Sequence, residues 1–149
     1  MRRFLAMAAL TIGLLAACAP AMAVSWGPNS SYYKGVKRVT GSGNFYNVSN
    51  TYARSRMKVS DTSNDGNNVY GRTTFAFYGY RCQSDCQTKW WTDVALSTPG
   101  FGNTTRTYDL DRRLYGWADR ARGSVFACAQ MGWPVPDSCA NAAYPSFAY

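Results

Sequence analysis

The pattern of apolar and polar positions is clearest over residues 52–59. Ala53, Ser55, Met57 and Val59 fall on one side, and Tyr52, Arg54, Arg56 and Lys58 on the other. That period of two is the mark of a half-buried strand. A second alternating run, Val69 to Cys82, sets Thr73, Phe75 and Phe77 against Thr74, Ala76 and Tyr78. A third, Lys89 to Leu96, puts Trp90, Thr92, Val94 and Leu96 on one side and leaves Trp91 outside; Trp90, Trp117 and Tyr78 are the aromatic core candidates. Ser124 to Met131 reads as a further strand, and Lys34 to Asn47 as an extended run broken by Gly41-Ser42-Gly43.

Between these runs lie turn-forming clusters. Asp61 to Asn68, with Asp65-Gly66 inside it, has the composition of a hairpin loop. Thr98 to Thr104 and Trp133-Pro134-Val135-Pro136 also read as loops. One stretch departs from the pattern. Leu110, Leu114, Trp117 and Ala121 recur at spacings of 4, 3 and 4, with Asp109 placed as an N-cap, which predicts either a short helix, weakened by Gly116, or an irregular crossover. The sum is an all-β chain, a small disulfide-stapled antiparallel β-sandwich with at most one short helix.

Composition agrees with strands and turns. Every acidic residue is Asp, histidine is absent, and Lys is sparse. Good helix formers are therefore scarce, while Tyr, Thr, Ser, Asn, Gly and Val dominate.

The first residues read as an export signal. Arg2 and Arg3 precede the apolar run Phe4 to Leu15, and Ala21-Met22-Ala23 is a small-x-small cleavage site. The run is too short for a transmembrane anchor, which needs roughly 20 residues. Expected divisions are thus a signal peptide over 1–23, an extended N-terminal arm over 24–40 and a sandwich domain over 41–149. Secretion is the expected location. Leu15-Ala16-Ala17-Cys18 offers a lipoprotein alternative through Cys18. Residues 24–149 keep 14 basic against 8 acidic residues, a net charge of +6.

After cleavage four cysteines remain, Cys82, Cys86, Cys128 and Cys139, an even number suited to an oxidising compartment. Three connectivities are open, and Cys82–Cys86 with Cys128–Cys139 is preferred because each pair flanks a turn-like segment. The spacings do not form the paired knuckles of a zinc site.

Candidate chemistry is thin. A histidine-dependent triad is excluded by composition. Asp109 and Asp111 would project together from a strand, as a glycosidase pair must, but the adjoining Arg112 and Arg113 would keep both ionised. Asp61 to Asn68 echoes the first half of a calcium loop, yet the twelfth position is Arg72 where a bidentate Glu is needed. No cofactor or metal is implied, and the chain is expected not to be an enzyme.

Surface features carry the functional expectation. Tyr52, Arg54, Arg56 and Lys58 make an outward basic stripe suited to acidic partners. Trp26, Tyr32, Tyr33, Val36 and Val39 lie on the arm, where an extended segment could add to a partner's sheet edge. The aromatic excess also suits protein contacts and stacking on carbohydrate.

Ala121 to Cys128 followed by Pro136-Asp137-Ser138-Cys139 resembles small secreted β proteins of Gram-positive bacteria, whose last strand is clasped by a disulfide. With the signal peptide and arm, this is similar to the small adaptor subunit of umbrella-type antibacterial toxin particles. The resemblance covers about 20 residues and implies a non-catalytic adaptor that joins other secreted proteins of a complex. Trp26-Gly27 and Ser31-Tyr32-Tyr33 echo the lactococcin-972 bacteriocins, but the chain is long for that class and lacks its histidines. The alternatives are a free-standing cationic antimicrobial or protein binding anionic cell-wall polymer or carbohydrate, and a secreted inhibitor or enzyme of unrecognised type. Nucleic acid is not an expected partner.

Overall fold

A computed structural model describes residues 23–149. The export signal, but for Ala23, and Cys18 lie outside the described residues. Nine strands make two antiparallel sheets packed face to face. The first sheet has the order β1 (Val24–Tyr33), β2 (Val36–Val48), β3 (Tyr52–Asp61) and β6 (Thr105–Arg113). The second has the order β5 (Cys86–Ser97), β4 (Val69–Cys82) and β7 (Ala118–Ala129). Two short strands, β8 (Ser138–Cys139) and β9 (Ser146–Ala148), pair with the two ends of β7 along one edge.

Alternation along β3 and β4 does what the sequence predicts. Ala53, Ser55, Met57 and Val59 meet Thr73, Phe75 and Phe77 inside the sandwich, all fully buried. Two apolar clusters fill the interior. One is built on Trp26, Met57, Val69 and Val125, the other on Phe45, Phe75, Phe77 and Ala121. The disulfides join Cys82 to Cys86 across the tip of the β4–β5 hairpin and Cys128 to Cys139 between β7 and β8.

Several local expectations change. The stretch expected as an arm, 24–40, is not separate from the sandwich. β1 pairs along its length with β2, β2 runs unbroken through residue 40, and Trp26 and Val39 belong to the core. The glycines taken as a break lie inside β2 and make room for that packing. A Cβ at Gly41 would sit 2.8 Å from the Ala127 methyl, and one at Gly43 would overlap the Arg56 carbonyl oxygen and stand 3.1 Å from the Trp26 indole nitrogen. Glycine in a strand here marks the close approach of other groups to the backbone, the Ala127 methyl at Gly41 and the Arg56 carbonyl at Gly43, with the Trp26 ring beside both.

Of the two readings for residues 110–121, the helix is absent and the irregular crossover is present, carrying the chain from one sheet to the other. Leu110 lies in β6, Leu114 and Trp117 in the link that follows, and Ala121 in β7. All four pack on one cluster, so two strands and a turn reproduce a helical spacing by chance. The link is anchored by the Leu114 N–H donating to the Thr51 carbonyl at 2.8 Å. Asp61 to Asn68 is likewise not a hairpin loop but an arch, because β3 and β4 belong to different sheets.

Candidate interaction surface

The outer face of the first sheet carries the expected basic stripe, and the neighbouring strand cancels most of it. Register places Arg54 opposite Asp111 and Arg56 opposite Asp109. Arg54 donates to both Asp111 carboxylate oxygens at 2.7 and 2.6 Å, and Arg56 to both Asp109 oxygens at 2.8 Å. Such forks are the strongest geometry for an arginine–carboxylate pair. The Arg56 hydrogen bonds hold the Asp109 carboxyl below the usual range, against a smaller opposing push from desolvation. Lys58 faces Thr107 and Tyr52 faces Arg113. The stripe is therefore a network of internal ion pairs with Lys58 beside it.

This corrects the reading of Asp109 and Asp111 as well. The partners come from β3, not from the adjoining residues, and Arg112 turns instead to Asp93 and the Tyr115 hydroxyl. The Arg56 fork holds the Asp109 carboxyl low, which is opposite to what a general acid needs.

The N-terminal candidates divide. Trp26 is 5% exposed and Val39 not at all, so neither has surface to offer a partner. Tyr32 and Val36 remain open at 62% and 48%. Tyr33 is half-buried under Lys34 and Arg38, with the Nζ and guanidinium carbon 5.4 and 5.8 Å from its ring centroid.

The arch Asp61 to Asn68 borders an open depression of about 510 Å³ lined by Asp61, Thr62, Ser63, Asn64 and Asn103. Its acids are already engaged. The Asp61 carboxylate accepts the N–H of Ser63 at 3.0 Å and of Asn103 at 2.7 Å, and Asp65 accepts from Arg38 and from the Asn67 N–H. Among the described residues no group of three or more His, Cys, Asp or Glu could hold a metal.

The outer face of the second sheet is different. Arg120 on β7, Tyr78 on β4 and Trp90 on β5 stand in one lateral row by register. Tyr78 and Trp90 pack at 5.4 Å between ring centroids, with their planes tilted by 57°. The Arg120 guanidinium lies 5.3 Å from the Tyr78 centroid. In the next row Arg122 reaches across Ala76 to lie 4.4 Å from the Trp90 centroid, with Tyr144 5.9 Å away on its other side. Ala76 is consequently only 6% exposed although it faces outward.

Arginines stacked on aromatic rings keep their N–H edges free for an incoming ligand. No carboxylate closes on Arg122 among the described residues, and Arg120 has only Asp119 at 3.9 Å, a pair with both members largely exposed. The second sheet thus presents positive charge that the first has neutralised.

Sequence reasoning missed this surface by assigning Trp90 to the core and Trp91 to the outside. A bulge between Thr74 and Ala76 in the β4–β5 pairing reverses the alternation along β5. Leu96 pairs with inward-facing Thr73, yet Trp91 pairs with inward-facing Phe77 and Trp90 with outward-facing Tyr78. One signal was present. In Asp119-Arg120-Ala121-Arg122-Gly123, large cations alternate with small residues, as expected of a strand with a tight inner face.

No family model, curated protein or solved structure matches this chain.

Proposed function

We propose that the protein is a secreted, non-catalytic interaction module, a subunit of an extracellular assembly, that engages an acidic partner through the outer face of its five-stranded sheet. The observation that carries this reading is the pair Arg120 and Arg122, supported on Tyr78, Trp90 and Tyr144 and lacking the carboxylate forks that occupy Arg54 and Arg56. Two disulfides suit an oxidising compartment. An adaptor role in an antibacterial toxin particle is one setting for such a module. The N-terminal segment is not its donor strand, because β1 is already paired with β2 and anchored by Trp26.

The test compares two variants with the same loss of charge. Arg120→Gln with Arg122→Gln removes the stacked cations, whereas Lys58→Gln with Arg113→Gln removes two exposed cations from the other sheet. Binding to an immobilised polyanion at 0.15 M salt should fall about tenfold or more in the first variant. It should change little in the second. Equal losses in both would reduce the attraction to net charge and sink the proposal.

A further inference from the structure

Resting on that reading, we infer that the acidic partner is an anionic polysaccharide, a chain of hydroxylated sugar rings carrying carboxylate, sulfate or phosphate groups.

The character of the surface around the arginines argues for it. Alternation and register place Thr74, Thr92, Ser97, Ser124 and Ser146 on the same outward face. Tyr80 adds an exposed phenol at 60% and Tyr144 another at 62%. Large aliphatic side chains are missing from the rows that hold Arg120 and Arg122, whose neighbours are Tyr78, Trp90, Ala76, Thr92, Ser146 and Ala148. An acidic peptide would find no apolar well there for an anchor residue, and buried anchors supply most of the energy in protein contacts. A polymer of hydroxyls and anions finds both of its complements.

Shape points the same way. The rows that hold Arg120 and Arg122 are an open sheet, and neither arginine lines the depressions at the Asp61 arch, beside Tyr70 and Arg72, or beside Pro28. A small anion would keep most of its hydration on such a surface, because tight small-molecule sites are concave. An extended chain instead gains by repeating weak contacts. Arg120 and Arg122, two residues apart on β7, set successive cations about 7 Å apart along the strand, and Arg72 continues the outward-facing charge on β4.

Single-stranded nucleic acid also combines anions with stackable groups. The arginines disfavour it here. The Arg122 guanidinium already lies over Trp90 and Arg120 over Tyr78, so these ring faces act as supports for the cations and are not free platforms for bases.

The experiment titrates the disulfide-bonded secreted chain, at fixed 0.15 M salt, with four probes: polygalacturonate, neutral dextran, poly-glutamate and an oligo-dT strand. Tryptophan fluorescence reports occupancy next to Trp90, and circular dichroism checks that each variant is folded. Polygalacturonate should bind with an affinity about tenfold or more above that for poly-glutamate at equal charge, and dextran should not bind. Arg120→Gln with Arg122→Gln should abolish the difference. Poly-glutamate binding as tightly as polygalacturonate would overturn the polysaccharide assignment while leaving an acidic partner in place. The strongest binding to oligo-dT would overturn it in favour of nucleic acid. Binding to none of the polyanions would remove both this inference and the function it rests on.

Discussion

Thr73 and Ser55 meet hydroxyl to hydroxyl at 2.8 Å between the two sheets, each fully buried and each in the middle of a run of apolar residues. The same Thr73 oxygen lies 3.3 Å from the Met57 sulfur. A polar pair in a core is tolerable only while both members are satisfied. It also favours one register for each strand within its own sheet, since a slip of β3 or β4 by one residue against its paired neighbours would carry its hydroxyl out of the core.

Thr73→Val keeps the shape and removes the partner of Ser55. Unfolding in denaturant should show a loss of about 1–3 kcal/mol. The double variant with Ser55→Ala should recover part of it, because no buried hydroxyl is then left alone. Additive losses in the double-mutant cycle would show that the pair is not coupled.

Trp26 tests whether the N-terminal strand belongs to the domain. Its indole lies over Gly41 and Gly43 and packs with Val39, Met57 and Val125. Trp26→Ala should cost about 3–5 kcal/mol, and deletion of Val24–Tyr33 should abolish cooperative unfolding. A truncated protein melting as sharply as the intact one would restore the picture of a detachable arm.

Asp109 supplies a pH test. Its carboxyl is held below the ordinary value of 3.8, chiefly by the Arg56 hydrogen bonds. A depressed folded pKa contributes stability above the unfolded value and loses it as pH falls through the folded one. Asp109→Asn should therefore lower the melting temperature by a constant amount between pH 5 and 8. The gap from wild type should close below about pH 4. A gap that persists at pH 2 would place the effect in packing and not in the ion pair.

Tyr70 provides the opposite limb. Burial first, and then donation of its hydroxyl to the Asp137 carboxylate at 2.8 Å, push its pKa up to about 12. A raised folded value means that stability is intact below pH 10 and is lost as pH climbs through about 12. Absorbance titration near pH 11 should show fewer tyrosinates in the folded protein than in its unfolded form, since burial raises both Tyr70 and Tyr149, and Tyr70→Phe should narrow that difference. Tyr70→Phe should flatten the alkaline loss of stability, and an unchanged alkaline limb would remove Tyr70 as its source.

The strands of the core were legible where alternation was uninterrupted. Ala53, Ser55, Met57 and Val59 needed only their period to be placed inside, and the disulfide partners only their neighbourhood to turns. Trp90 and Trp91 were assigned to the wrong sides because a bulge inserts a residue that the partner strand does not match, and nothing within β5 announces it. Leu110 to Ala121 misled for a related reason. Spacing does not record whether the chain reverses between one apolar residue and the next.

Local sequence determined the class of the protein: extended segments with one apolar face, turn clusters between them, and cysteines placed to staple two of the turns. Tertiary structure alone decided which charges remain available. Arg54 and Arg56 on β3 resemble Arg120 and Arg122 on β7 as sequence, each a pair of arginines at alternate positions. Strand pairing sets Asp109 and Asp111 beside the first pair and Tyr78 and Trp90 beside the second. The free charge on a surface depends on what lies a few ångströms across the sheet, and those neighbours are some fifty residues away along the chain for Arg54 and Arg56, and some thirty to forty for Arg120 and Arg122.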